Sequence, residues 1–239
     1  MKKYFLLCLL TLIFYSTPCF AQDSTSVLSI NPSEGLNKGN YAFTVGMNFG
    51  QYTSKNEDAF IYYILDEENV KYNIKLGFAY NVKDGRQIGA GFRYINDDTS
   101  IEYENAVGDT INTTSFERRY VTSIFYGISK SLFGSKRVFL ISDPSLFFTA
   151  GNTDSSRTID EISELSESTV RSISIGLHVG LQLFLAPKLS TQILVGPVGF
   201  GYQWEDFEMN GEPNGNTDSF FVRMSPDILS FEFSISRYF

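Results

Sequence analysis

Cysteine is nearly absent from this chain. Of 239 residues only Cys8 and Cys19 are cysteines, and both precede Ala21. Beyond that point disulfides, thiol nucleophiles and thiolate metal sites are excluded together. Histidine is as scarce. His178 is the sole one, so no histidine cluster can hold a metal. The sequence also lacks a G-x-S-x-G elbow, a phosphate-cradling glycine loop and the spacing of a Ca²⁺ loop. No metal and no cofactor is implied. Positive charge is short too. The whole chain has a formal charge of −8, and without Lys2 and Lys3 seventeen basic residues face twenty-seven acidic ones, a balance of −10. That argues against nucleic acid as a partner, which calls for a basic patch. Finally, no stretch beyond the first twenty residues is apolar enough to read as a transmembrane helix.

The one long, almost unbroken apolar run, residues 4–15, stands behind a basic Met1-Lys2-Lys3 and ahead of Cys19-Phe20-Ala21. This is the three-part pattern of a secretory signal peptide, cleaved after Ala21. The run falls short of the roughly 20 residues a spanning helix needs. Pro18, directly before Cys19, argues against a lipoprotein. The expected organisation is a leader over 1–21, a short N-terminal segment over 22–39, and one β-rich domain over 40–239.

What the chain has in abundance is alternation of period two. Tyr41, Phe43, Val45, Met47 and Phe49 face one way, and Ala42, Thr44, Gly46, Asn48 and Gly50 the other. The pattern recurs from Val70 to Asn81, from Gln87 to Tyr94, from Arg119 to Ser129 with Phe125 as an exception, and from Ser172 to Leu183. Two segments are less regular. Residues 138–150 are interrupted by Pro144, which suggests a bulge or a bend, and 189–204 alternate only until Pro197. The last segment, 229–239, is regular again, with Leu229, Phe231, Phe233, Ile235 and Phe239 on one face. Connections alternate in length. Those at 82–86, 133–136 and 186–188 are short; those at 53–69, 96–114, 151–168 and 205–218 are long, polar and acidic.

Two features say which solvent the apolar face meets. The opposite face is rich in glycine and serine rather than the lysine and glutamate of a solvated surface. The apolar face carries tyrosines at or near strand ends, at Tyr41, Tyr72, Tyr80, Tyr94 and Tyr120, as in the aromatic girdles of lipid–water interfaces. A closed barrel also satisfies every backbone polar group in hydrocarbon. The fold class expected is therefore all-β: a closed antiparallel up-and-down transmembrane β-barrel of eight strands, with ten as the alternative.

The segments, the loop asymmetry and the end of the chain together resemble the small bacterial outer-membrane β-barrel family. Phe231, Phe233, Ile235 and Phe239 look like the C-terminal signal such barrels present to the assembly machinery, although Arg237 stands where that signal is usually apolar. The resemblance implies a bacterial outer-membrane location, short turns in the periplasm, periplasmic chaperones and the barrel-assembly machinery as partners, contact with outer-membrane lipid and lipopolysaccharide, and a monomer.

An eight-stranded lumen is just wide enough to be filled by side chains. Parity assigns to it Lys71, Lys75, Arg93, Glu117, Arg119, His178, Gln182, Gln192 and Glu232. The simplest reading of these charges is an ion-paired plug. Lys71, Lys75, Arg93 and Arg119 would gather in the outer half with only Glu117 near them. Either the acidic loops fold down onto this excess or the mouth holds an anion. Arg118 and Arg171 have outward parity at strand ends, where they could meet lipopolysaccharide phosphate. Three functions follow as expectations: a non-enzymatic envelope-structural or surface-recognition and adhesion protein; a narrow channel or small anionic-ligand binder; or a lipid A-modifying enzyme, for which His178 would be an ill-placed base.

Overall fold

The computed structural model describes residues 32–58, 63–104, 109–159, 162–224 and 232–239. The leader, most of 22–39, and Leu229 to Phe231 lie outside the described residues. The fold described below lies within residues 31–239.

That fold is one antiparallel sheet. Strands β1 (Tyr41–Asp58), β2 (Tyr63–Lys83), β3 (Arg86–Glu104), β4 (Thr110–Ser131), β5 (Val138–Ile159), β6 (Ile162–Ala186) and β7 (Leu189–Met209) each pair with the next. Two short strands share the eighth position. β9 (Glu232–Tyr238) pairs with the near end of β7 and with β1, which closes the ring. β8 (Glu212–Met224) pairs with the far end of β7 and, among the described residues, with no other strand. Nine strands thus occupy eight places.

The polarity is inverted relative to a water-soluble sandwich. Outward side chains are large and apolar and stand exposed, among them Phe43, Phe49, Phe78, Ile124, Ile175, Phe200 and Phe233. Inward ones are small or polar and buried, with Ser190 and Ser236 at 0 % exposure and Gln182 at 1 %. Only hydrocarbon rewards that arrangement, because exposed apolar surface is costly in water. Outward tyrosines of neighbouring strands pack against one another at a tilt: Tyr72 on Tyr94 at 6.1 Å and Tyr94 on Tyr120 at 5.3 Å near one end, Tyr41 on Tyr80 at 5.0 Å near the other. The span from Tyr72 to Tyr80 on β2 matches the about 9–11 residues a tilted strand needs to cross a bilayer.

Several local expectations need correction. The long connections are not loops, because the ladders run on almost to the tips. Asp58 is opposite Tyr63, Glu104 opposite Thr110, Ile159 opposite Ile162, and Met209 opposite Glu212. The last of these hairpins closes on Asn210 and Gly211, both at positive φ (51° and 81°). Those angles make a primed turn whose twist suits two strands. Pro144 makes no bulge. The β4–β5 ladder lapses beside it and resumes in the same register, while pairing to β6 is continuous. Near Pro197 an extra residue does enter β7, and register shifts between Leu177 and Val179 of β6. Inward parity on β7 is therefore even below this bulge (Ser190, Gln192, Leu194) and odd above it (Gly199, Gly201). Gly199 sits where the strands close up. A Cβ there would lie 2.3 Å from the Ile175 carbonyl oxygen.

Candidate functional site

The lumen is built in tiers. At the end with short turns, a 3-10 turn (Pro32–Leu36) is pinned across the mouth. Asn81 Nδ2 donates to the carbonyls of Gly35 (2.8 Å) and Asn37 (3.1 Å), and the Gly85 amide donates to Leu36 O at 2.9 Å. Leu36 then enters a core of Ala42, Ala79, Phe139, Phe184 and Tyr238. Phe184 is the hub, with Phe139 edge-on at 5.6 Å and Tyr238 at 5.6 Å. Above it Gln182 Nε2 donates to Ser190 Oγ (2.8 Å) and Tyr238 Oη (2.6 Å). Residues 32–36, the end of the expected short N-terminal segment, thus form a stopper at this end of the lumen.

The middle tier sets polar side chains among apolar ones such as Val121, Phe125 and Phe147. A cavity of about 40 Å³ is bordered by Lys75, Arg93, Asp143, His178, Gln87 and Gln192. At roughly 10–15 Å³ per water it has room for about three waters. His178 stands opposite Asp143 in the ladder. It is buried, with the Phe147 ring edge-on at 5.4 Å. This location, deep in the wall and away from lipid, suits a member of a packed polar layer.

The upper tier pairs its charges. Lys71 Nζ lies 2.6 Å from Asp97 Oδ2, and Asn69 Nδ2 donates to Asp97 Oδ1 at 2.8 Å. Arg119 pairs with Glu117. Asp97, grouped from sequence with the acidic loops, is an inward residue of β3. With Asp143 it adds two carboxylates to a lumen that parity alone made basic. Glu232 falls at an inward position opposite Leu194, and its side chain is outside the described ones.

Outward, Arg118 and Arg171 sit beside the aromatic girdle. Arg118 is opposite Asn152 on β5, Arg171 opposite Ala150 on β5 and Trp204 on β7. They flank one stretch of β5. Of the C-terminal residues, Phe233, Ile235 and Phe239 face outward and are exposed; Phe231 is outside the described residues. Tyr238, not singled out from sequence, points inward and is 1 % exposed.

A closed antiparallel ring with an apolar exterior, aromatic girdles and a filled polar lumen defines a transmembrane β-barrel. The chain matches the family model for the outer membrane protein beta-barrel domain over residues 20–193, and it belongs to that family. Membership places it in the bacterial outer membrane. Its fold is similar to several solved structures. The crystal structure of Ail, the attachment invasion locus protein of Yersinia pestis, matches at 11 % identity over 84 % of this chain and 99 % of that one, with a TM-score of 0.34. A major outer membrane protein from Thermus thermophilus matches at 9 % identity over 83 % and 99 %, with a TM-score of 0.42. Neisserial surface protein A matches at 12 % identity over 84 % and 98 %, with a TM-score of 0.27. No curated protein matches the chain.

Proposed function

We propose that this barrel is a non-enzymatic surface-recognition protein whose working part is the sheet beyond the girdle. The observation that carries the reading is the length of the ladders. β4 and β5 run 22 residues each and β6 runs 25, about twice what the bilayer needs. Hydrogen-bonded hairpins hold their shape, which suits a surface meant to be read by a partner. In the orientation usual for such barrels the hairpins are extracellular and the short turns periplasmic. The hairpin sheet is strongly acidic, with Asp66, Glu67, Glu102, Asp154, Glu164, Glu208 and Glu212 among its residues. It therefore favours a basic or cation-bearing partner. The stoppered base and the paired upper tier support a barrel that does not conduct.

The test shortens one hairpin and leaves the barrel intact. Asn152 and Thr169 are ladder partners, so an Asn-Gly turn replacing residues 153–168 keeps their register. Cells carrying the short form should retain folded, heat-modifiable protein in the outer membrane and lose adhesion to basic surfaces. Unchanged adhesion would overturn the recognition role. Stepwise currents in planar bilayers would overturn the non-conducting barrel in favour of a channel.

A further inference from the structure

The charges of this chain are sorted by end. The described residues 32–41, 82–86, 130–138, 186–189 and 237–239 make up the rim at the short turns. They hold eight basic residues and two acidic ones, Glu34 and Asp84, in a chain whose overall charge is −8. The hairpin sheet carries the opposite excess.

Three of these cations share one outward face. Lys83 and Arg86 stand directly opposite each other across the β2–β3 turn. Arg86 is also opposite Ile128 on β4, and Lys130 follows Ile128 by two residues, itself opposite Leu140 on β5. Ile128 and Leu140 are outward and exposed, so Arg86 and Lys130 have lipid-facing parity too. Gly85, at a φ of 64°, lets the turn lie close against β4. The Ser129 amide donates to Gly85 O at 2.8 Å, and a Cβ on Gly85 would come within 2.7 Å of the Ser129 carbonyl oxygen. Opposite residues have Cβ atoms about 5 Å apart and diagonal ones are about 7–8 Å apart, so three such long side chains can converge on one phosphate. Like charges placed directly opposite disfavour the sheet that carries them, and an anion between them removes that cost. Asp84, the one acid of this turn, uses Oδ1 to accept the Lys38 amide at 2.8 Å.

A second group stands across the ring. Arg237 of β9 is opposite Phe43 on β1 and Leu189 on β7, the residue after Lys188. Its guanidinium carbon lies 5.5 Å from the centre of the Phe239 ring. This is the residue that interrupts the apolar C-terminal pattern. Both groups lie at the lower aromatic girdle. Lys83 follows Tyr80 by three residues, and Tyr80 packs on Tyr41, two residues before Phe43. At that depth long cationic side chains reach the headgroup layer at little cost.

We propose that the turn-end rim binds anionic glycerophospholipid, with Lys83, Arg86 and Lys130 around one headgroup phosphate and Lys188 and Arg237 at another. Guanidinium binds phosphate through paired hydrogen bonds, and the acyl chains lie along Ile88, Ile128 and Leu140, all exposed on the same wall. A net negative headgroup fits better than a zwitterionic one, because an ammonium group would meet cations. Basic clusters at a membrane surface select anionic lipid on this ground. With the short turns in the periplasm, the lipid belongs to the periplasmic leaflet. The site is separate from the hairpins, so the inference goes beyond surface recognition and does not rest on it.

The test reconstitutes the full mature protein in vesicles of equal parts phosphatidylethanolamine and phosphatidylglycerol, releases it in mild detergent and weighs it with its bound lipid. Phosphatidylglycerol should be retained several-fold over phosphatidylethanolamine. Lys83→Gln, Arg86→Gln and Lys130→Gln together should lower that preference at least twofold, and adding Arg237→Gln should lower it further. The charge-keeping set Lys83→Arg, Arg86→Lys and Lys130→Arg should preserve it, as should Arg118→Gln with Arg171→Gln at the hairpin end. No preference in the wild-type barrel, a preference indifferent to the turn-end substitutions, or one that only the hairpin-end pair removes would overturn the site. If the triple variant does not reach the heat-modifiable form, the wild-type barrel is released at rising salt instead. The preference should then fall as salt screens the rim, and a salt-independent preference overturns the proposal equally.

Discussion

The two halves of the barrel are built on opposite principles. The turn-end half is closed by β9, stoppered by Leu36 and packed around Phe139, Phe184 and Tyr238. The hairpin-end half has paired charges in its lumen and like charges in its sheet. Asp154, Glu167 and Glu208 lie directly opposite one another across β5, β6 and β7, a row that disfavours the sheet it sits in. Natural proteins tolerate local cost where function needs it and compensate elsewhere. The base is where this barrel gathers its stability, and the hairpin end is where it can afford a surface tuned for something other than stability.

The sharpest way to break that comparison is to remove one phenylalanine from each half. Phe184, 1 % exposed, should cost about 3–5 kcal/mol as Phe184→Ala, because the cavity lies among aromatics that cannot collapse into it. Phe116, outward on β4 beyond Arg118 and 45 % exposed, should fall within about 0.5 kcal/mol as Phe116→Ala. Denaturant unfolding in phospholipid vesicles measures both. Similar losses at the two sites would show that stability is spread evenly through the barrel.

The next effect sharpens the depth axis on a single strand. Leu177 and Arg171 both face outward on β6, Leu177 opposite Val198 and Arg171 opposite Trp204. Leu177→Arg should cost about 2–4 kcal/mol if its position is near mid-bilayer, whereas an arginine at girdle depth costs about 0–1. A neutral Leu177→Arg would mean that the lipid face has been assigned to the wrong parity.

That parity was the part of the fold most legible in sequence, and its failures are instructive. Phe125 broke the pattern because the interior conserves volume by pairs rather than by residues. It stands opposite Gly89, where a Cβ would lie 2.3 Å from its ring. Phe221 repeats the device opposite Gly201. A pattern read one strand at a time cannot see either partner. The hairpin extensions were legible in part. Continuing the odd face of β3 from Arg93 reaches Asp97, and Asn210-Gly211 is a strong hairpin signal. Acidity outweighed both cues, because polar segments read as loops. The stopper was not legible at all, since one leucine in a short turn has no periodicity.

The smallest effect on the barrel itself concerns Arg118 and Arg171. The sequence placed both at the outer interface, and they now flank Ala150 and Asn152 on the strand between them. Their strands lie two ladder spacings apart, about 10 Å, a separation over which two guanidinium groups can share one phosphorylated headgroup. Ala150 between them leaves room for it. Guanidinium binds phosphate through two parallel hydrogen bonds, and our proposal is that the pair anchors the barrel to lipopolysaccharide. In phospholipid alone, replacing both by Gln should change stability by no more than about 1 kcal/mol, as expected for interfacial arginines. With lipopolysaccharide present, the wild-type barrel should gain thermal protection that the double variant lacks, and the double variant should co-purify with less of it. Retention of both properties would mean that the arginines only extend into the headgroup layer. The hairpin end would then have no lipid anchor of its own, and its hold on the outer leaflet would rest on the aromatic girdle.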